Sequence, residues 1–249
     1  MIQQPLAILR FMWNDQANVT PKWGTDAYTA IFMKSRFWWS VANYWEDCSY
    51  GLISLQGNEL FDWRVHDFNF LVPKDGGGMT QNDRRLIIQS AVDKVLQEGI
   101  SLDGFAGVLV VFPESTAGSA DFGASGGINI GGRSVSGALL NEGLWHTLIA
   151  HEVGHVLGFD HSYGREPDPT VYKDHYCIMS AANWQGYRPW FTMAADPAVP
   201  SVGSLFFNVM GPAPTCALLY RYLDEFRNTP LVDTLPANFR QSAPRMRLY

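Results

Sequence analysis

The spacing of apolar residues along these 249 positions changes from stretch to stretch, and each spacing predicts an element. Residues 5–13 (PLAILRFMW) are a nearly unbroken apolar run closed by Asn14 and Asp15, which predicts a central strand ended by a turn. From Thr25 to Asp47 the apolar residues Tyr28, Ile31, Phe32, Phe37, Trp38, Val41, Tyr44 and Trp45 recur at helical spacing. That predicts one long helix with a broad buried face, capped by Thr25 or Asp26. Ser49-Tyr50-Gly51 ends it; short strands are expected at Leu52–Leu55 and between Leu60 and Leu71. Thr80 to Gly99 has the cleanest amphipathic pattern, with Thr80 as cap and Gly99 as stop. Its predicted buried face is Leu86, Ile87, Ala91, Val95 and Leu96.

Residues 105–112 (FAGVLVVF) read as a strand buried on both faces. A small-residue loop over 113–126 follows, then a short strand at Ile128–Ile130 between two glycine pairs. A helix is predicted from Asn141, as cap, to Gly158, with Leu144, Leu148 and Val156 facing inward. After His161 periodicity fades, Gly, Pro and Asp become frequent, and only residues 214–227 look helical. The expected fold class is therefore α/β (or α+β): a single domain, with an ordered α/β subdomain over 1–161 and a mostly irregular one over 162–249. A cleft between the two is the natural place for a site.

Composition narrows the partners. A formal charge of -6 and a pI near 5.4 argue against nucleic acid or an anionic membrane as partner. The most apolar long stretch, Leu205 to Leu223, is interrupted by Asn208, Pro212, Pro214 and Arg221, so no membrane span is expected. Met1 to Trp13 has no basic leader and carries Arg10 inside the apolar run, so no signal peptide is expected there. The thiols of Cys48, Cys177 and Cys216 allow one disulfide through Cys177 or none.

The chemistry concentrates in residues 151–161, which read H-E-x-x-H-x-x-G-x-x-H. Residues four apart share one helix face, so His151 and His155 can meet one ion. Gly158 lets the chain leave the helix in a left-handed conformation and bring His161 back to it. Three imidazoles leave one tetrahedral position of a zinc site open, the arrangement of catalytic sites. Chance supplies the full pattern in roughly one such chain in 10^5, which sets aside ordinary core histidines. Glu152, beside the ligands but not one of them, is the candidate general base. His66, His146 and His175 read as structural or surface residues, and Asp160 and Asp174 as loop caps or as acceptors that orient imidazoles. The Asp/Gly loops at 74–78 and 118–123 have calcium-like composition but no EF-hand spacing.

With Cys177-Ile178-Met179-Ser180 following at a distance, the chain resembles the metzincin clan of zinc endopeptidases, whose signature is this extended histidine motif and a later methionine turn. The stretch Trp45 to Gly51 and the pattern Tyr172-x-Asp174 are similar to the immune-inhibitor-A-like and gametolysin-like branches. The resemblance rests on 151–180 and extends by element order over 5–161; it is silent over 195–249. It implies a twisted mixed sheet with packed helices, one catalytic Zn2+, Met179 as a hydrophobic floor under the histidines, and a monomer acting on proteins or peptides, extracellular by resemblance, with an intracellular location the alternative. It also implies that an edge strand at Gly127, Ile128, Asn129 and Ile130 pairs with substrate, unless that stretch is only a glycine-rich connector. Trp184 and Tyr187 fall where the clan builds its S1′ wall, or else in the core. Ala181 stands where some members carry a metal-site tyrosine, so that role passes to none of Tyr163, Tyr172, Tyr176 or Tyr187 by position. The implied activity is peptide-bond hydrolysis. The alternatives are a peptidase restricted to special proteins, such as glycosylated ones, and an inactive zinc-binding module.

Overall fold

The computed structural model describes residues 1–35, 40–70, 79–113, 122–144, 146–161 and 178–179. Behind a two-residue strand β1 (Ile2–Gln3), the apolar run forms β2 (Leu6–Met12), buried along almost all its length. Its one charged residue is accommodated rather than exposed. Arg10 Nε donates to the Phe61 carbonyl at 2.7 Å, and the guanidinium lies over the rings of Tyr28 and Trp63 at 5.4 and 5.5 Å.

Where the spacing predicts one helix over 25–47, two form: α1 (Thr25–Phe32) and α2 (Val41–Cys48). Both sides of the break are held by hydrogen bonds. Met33 is extended, and Asn58 Nδ2 donates to the Phe32 carbonyl at 2.8 Å. Ser40 then starts the second helix as its cap, accepting from the Asn43 N–H at 3.1 Å. The cap of α1 is Gly24, not Thr25 or Asp26. Three short strands follow, β3 (Ile53–Ser54) beside β1, then β4 (Glu59–Leu60) and β5 (Arg64–Val65) beside β2.

The helix α3 (Gln81–Gln97) is capped as predicted, Thr80 and Asp83 closing a reciprocal capping box. Its buried face is Ile87, Ile88, Ala91, Val92 and Val95. Leu86 is 45% exposed, because the stripe that repeats at 87, 88, 91, 92 and 95 leaves it outside. Strand β6 (Gly107–Phe112) is buried on both faces, as expected. Beyond it the structure corrects the reading twice. The short strand expected at 128–130 is the end of a longer β7 (Gly123–Ile130), and an unpredicted β8 (Arg133–Asn141) returns antiparallel to it. Asn141 therefore closes β8, opposite Phe112, instead of capping the helix α4 (His146–Val156).

The main sheet runs β4-β2-β6-β8-β7, parallel except for the antiparallel edge strand β7. Leu6 and Ile8 on one face of β2 pack with α1, α2 and α4; Ala7, Leu9 and Phe11 on the other pack with α3. The chain is thus a mixed α/β structure with helices on both faces of its sheet. Buried Glu142, between β8 and α4, accepts from the N–H groups of Lys22 and Trp23 at 2.6 and 3.1 Å and from the Tyr28 hydroxyl at 2.8 Å. This ties the segment ahead of α1 to the approach of α4. His66 is structural, as read: its Nδ1 accepts from the Phe68 N–H at 3.0 Å and its Nε2–H donates to the Ile87 carbonyl at 3.0 Å. Among the described residues no helix is long and apolar enough to cross a membrane. The expected 162–249 subdomain, its helix at 214–227 and the loop at 74–78 lie outside the described residues, apart from Ile178 and Met179.

Candidate metal centre

The last turn of α4 ends as the glycine predicts. Gly158 is left-handed at φ +96°, the Phe159 N–H bonds the Gly154 carbonyl at 2.9 Å, and the Gly158 N–H bonds the His155 carbonyl at 3.0 Å. Those two bonds are a Schellman closure. It turns the chain under the helix and delivers His161 to the other two histidines. His155 Nε2 lies 3.1 Å from His151 Nε2 and 2.9 Å from His161 Nε2, and one nitrogen from each ring falls within 4.8 Å of the others.

The donor set fits a metal ion. The Nδ1–H of His151 donates to the Ile178 carbonyl at 2.8 Å, and that of His155 to the Phe159 carbonyl at 2.7 Å. With Nδ1 carrying the proton, each Nε2 presents a bare lone pair to the centre. Lone pairs this close repel one another unless a cation stands between them. Burial and the neighbouring His155 push the pKa of His151 down to about 3, and burial with the same neighbour pushes His161 down to about 4. Burial lowers His155 as well, opposed in part by Asp160. All three rings favour the neutral form that binds metal. The acceptors that orient His151 and His155 are thus backbone carbonyls, and Asp160 acts on His155 and His161 through its charge.

Ile178 and Met179 form a turn beneath α4, and Met179 is fully buried. Gly154, one position before His155, explains how the turn fits. A Cβ there would overlap Met179 Sδ and come within 2.8 Å of Trp45 Cζ2. Trp45 on α2 donates from Nε1 to the Ala150 carbonyl at 3.1 Å and stacks on Phe159 at 5.2 Å. Helix α4 is therefore gripped by a methionine and a tryptophan at the turn that carries His155. Gly154→Ala is expected to cost about 1–3 kcal/mol in unfolding free energy, through overpacking at this contact. Denaturant titration of the two proteins measures it, and an unchanged or raised midpoint would refute the contact.

Glu152 projects from the same helix and is only 5% exposed. Burial pushes its pKa up to about 7, against the pull of a hydrogen bond from the Ala124 N–H and of the Arg84 charge. Among the described residues its Oε2 has no partner. Arg84 reaches from α3 across Gly123, where a Cβ would stand 2.8 Å from its Nε. Its Nη1 donates to the Met79 carbonyl at 2.9 Å.

The strand residue that meets Glu152 is Ala124. Ala124 pairs with Ala138 near the end of β8 that leads toward α4. Ile128 and Ile130 pair with Val135 and Arg133, toward the hairpin, and both isoleucines are fully buried. The expected edge residues Gly127, Ile128, Asn129 and Ile130 belong to the same strand β7, further along it from Ala124. No signal in the sequence marks Ala124 or Arg84. Gly154 does leave one, since glycine inside a helix costs about 1 kcal/mol and asks for a close neighbour. The side chain of His146, together with Asp174, His175, Cys177, Cys216, Trp184, Tyr187, Ala181 and the four tyrosines, lies outside the described residues, as does the loop 118–121. Cys48 is described, and burial pushes its thiol up to about 12.

Comparison with protein-family models and with curated proteins gives no match for this chain.

Proposed function

We infer that the protein is a zinc-dependent endopeptidase of metzincin type that hydrolyses peptide bonds of proteins. One observation carries the reading: three convergent imidazole nitrogens stand beside a buried carboxylate whose Oε2 has no partner among the described residues. His151, His155 and His161 would hold the ion. Three neutral imidazoles and no thiolate suit zinc at a catalytic site. Bound there, zinc supplies Lewis acidity, which acidifies water and polarises a carbonyl. The turn at Ile178–Met179 under the helix, and an antiparallel edge strand at the metal end of a parallel sheet, support the same reading.

The work of this chain's own residues follows from the geometry. Glu152 lies beside the Ala124 backbone, and its Oε2, without a partner among the described residues, is the atom to take a proton from water and pass it to the leaving amine. Its pKa near 7 suits both the taking and the giving. In a strand the N–H and C=O of one residue point the same way, so the Ala124 carbonyl lies on the same side as its N–H and would offer an acceptor to an extended peptide. The Ile178 and Phe159 carbonyls fix the ring tautomers. A zinc-binding module without turnover has no use for Oε2 of Glu152, and the catalytic reading does. The test is a casein digest with and without a chelator, with cleavage sites read by mass spectrometry. Chelator-sensitive cuts are expected; an uncut or chelator-indifferent substrate refutes the reading.

A further inference from the structure

The outer side of β7 is not uniform. Asn129 lies between Ile128 and Ile130, both fully buried, and its backbone groups face away from β8 toward α3. There Gln89 takes both: its Oε1 accepts the Asn129 N–H at 2.7 Å, and its Nε2 donates to the Asn129 carbonyl at 3.1 Å. A side-chain amide thus reproduces the two bonds that a neighbouring strand would make. The amide is itself fixed, since Gln89 Nε2 also bonds Asp93 Oδ1 at 2.8 Å, one helical turn along α3. Asn129 is anchored a third time where its Oδ1 accepts from the Gly132 N–H at 2.9 Å. Between this capped stretch and Ala124 the register shifts, at exposed Gly126 and Gly127, the latter left-handed at φ +75°.

Strand β7 therefore has two unequal parts. At Ala124 its backbone lies beside Glu152; at Asn129 the edge is occupied by the protein's own side chain. We propose that Gln89 is a specificity-determining residue, closing the far part of β7 so that backbone pairing with an extended peptide stops at the bulge. The proposal rests on the endopeptidase reading. It goes further by setting how much peptide is recognised: a segment of about four residues at 3.3 Å each, after which the substrate leaves the sheet. A peptide running on past the bulge gains nothing, because the donor and acceptor it needs at Asn129 are already engaged.

The experiment uses nested peptides around one casein cleavage site, lengthened residue by residue on either side of the cut bond. kcat/KM is measured for the wild type and for Gln89→Ala, each normalised to its own shortest peptide, with amide hydrogen exchange at Asn129 followed in parallel. Alanine favours a helix, so α3 is kept. In the wild type the gain with length on one side is expected to stop within about four residues. In Gln89→Ala it continues for about two more, by roughly threefold for each added backbone bond, and the Asn129 amide exchanges faster. Unchanged length dependence in the variant overturns the role of Gln89 and leaves the peptidase reading intact. Failure of the wild type to cut casein at all overturns the reading, and this inference with it.

Discussion

Replacing Glu152 with glutamine is expected to lower the initial rate of casein hydrolysis by roughly 10^2- to 10^4-fold while metal content and melting temperature stay near those of the wild type. Glutamine has almost the same shape, and its amide oxygen can still accept the Ala124 N–H. The position of Oε2 is then filled by an NH2 group, which cannot take a proton from water. The histidines do not depend on this residue for their tautomers, because their Nδ1 protons go to the Ile178 and Phe159 carbonyls. Glu152 therefore separates chemistry from metal binding more cleanly than any ligand substitution. Removing the carboxylate also removes a buried group whose charged form is disfavoured by burial, so stability should hold or rise slightly. Rates, metal-to-protein ratio and melting curves on the two proteins settle it. A variant with near-normal rate would mean that some other group moves the proton, and the mechanism would be wrong.

The ligands could be found in the sequence because their chemistry is local. His151, His155, Gly158 and His161 lie within one helix and its exit turn, where spacing alone dictates which side chains meet. The same holds for the capping box at Thr80 and the doubly buried β6, each set by neighbours in the chain. What escaped is long-range. Ala124 meets Glu152 only because β7 turns back along β8, and β8 itself was hidden: its first half (Arg133, Ser134, Val135, Ser136) is polar and partly exposed, and its second half is apolar. Such a strand shows neither strict alternation nor a continuous apolar run. The split between α1 and α2 was invisible for a similar reason, since Asn58, from a later loop, takes the Phe32 carbonyl. Met179 is marked in the sequence only by resemblance; in the fold it has a physical partner in Gly154.

Stripping the metal is expected to lower the melting temperature of the wild type by about 10 °C when the ion is otherwise present at about a thousand times its dissociation constant, a linkage worth about 4 kcal/mol. His155→Ala should melt at one temperature with or without a chelator. His155 is the ligand to remove, because its Nε2 lies between the other two, 3.1 Å from one and 2.9 Å from the other. Acid should destabilise the metal-free protein, and the sign follows from the shifts. His151 and His161 have folded pKa values of about 3 and 4, below the ordinary 6.5. Above pH 6.5 they are neutral in both states and contribute nothing; as pH falls below it, the unfolded chain takes protons first and stability is lost. Glu152 works the other way: its neutral form, favoured up to a pKa of about 7, lends stability that grows as pH falls and is complete near 4.5. Below 4.5 nothing from the carboxyl offsets the histidines any longer, so the chelated protein should lose stability most steeply there. Melting curves at pH 7, 5.5 and 4, with and without chelator, test both halves. If no divalent ion raises the wild-type melting temperature at pH 7, the three nitrogens hold no metal, and the assignment of this centre fails at its base.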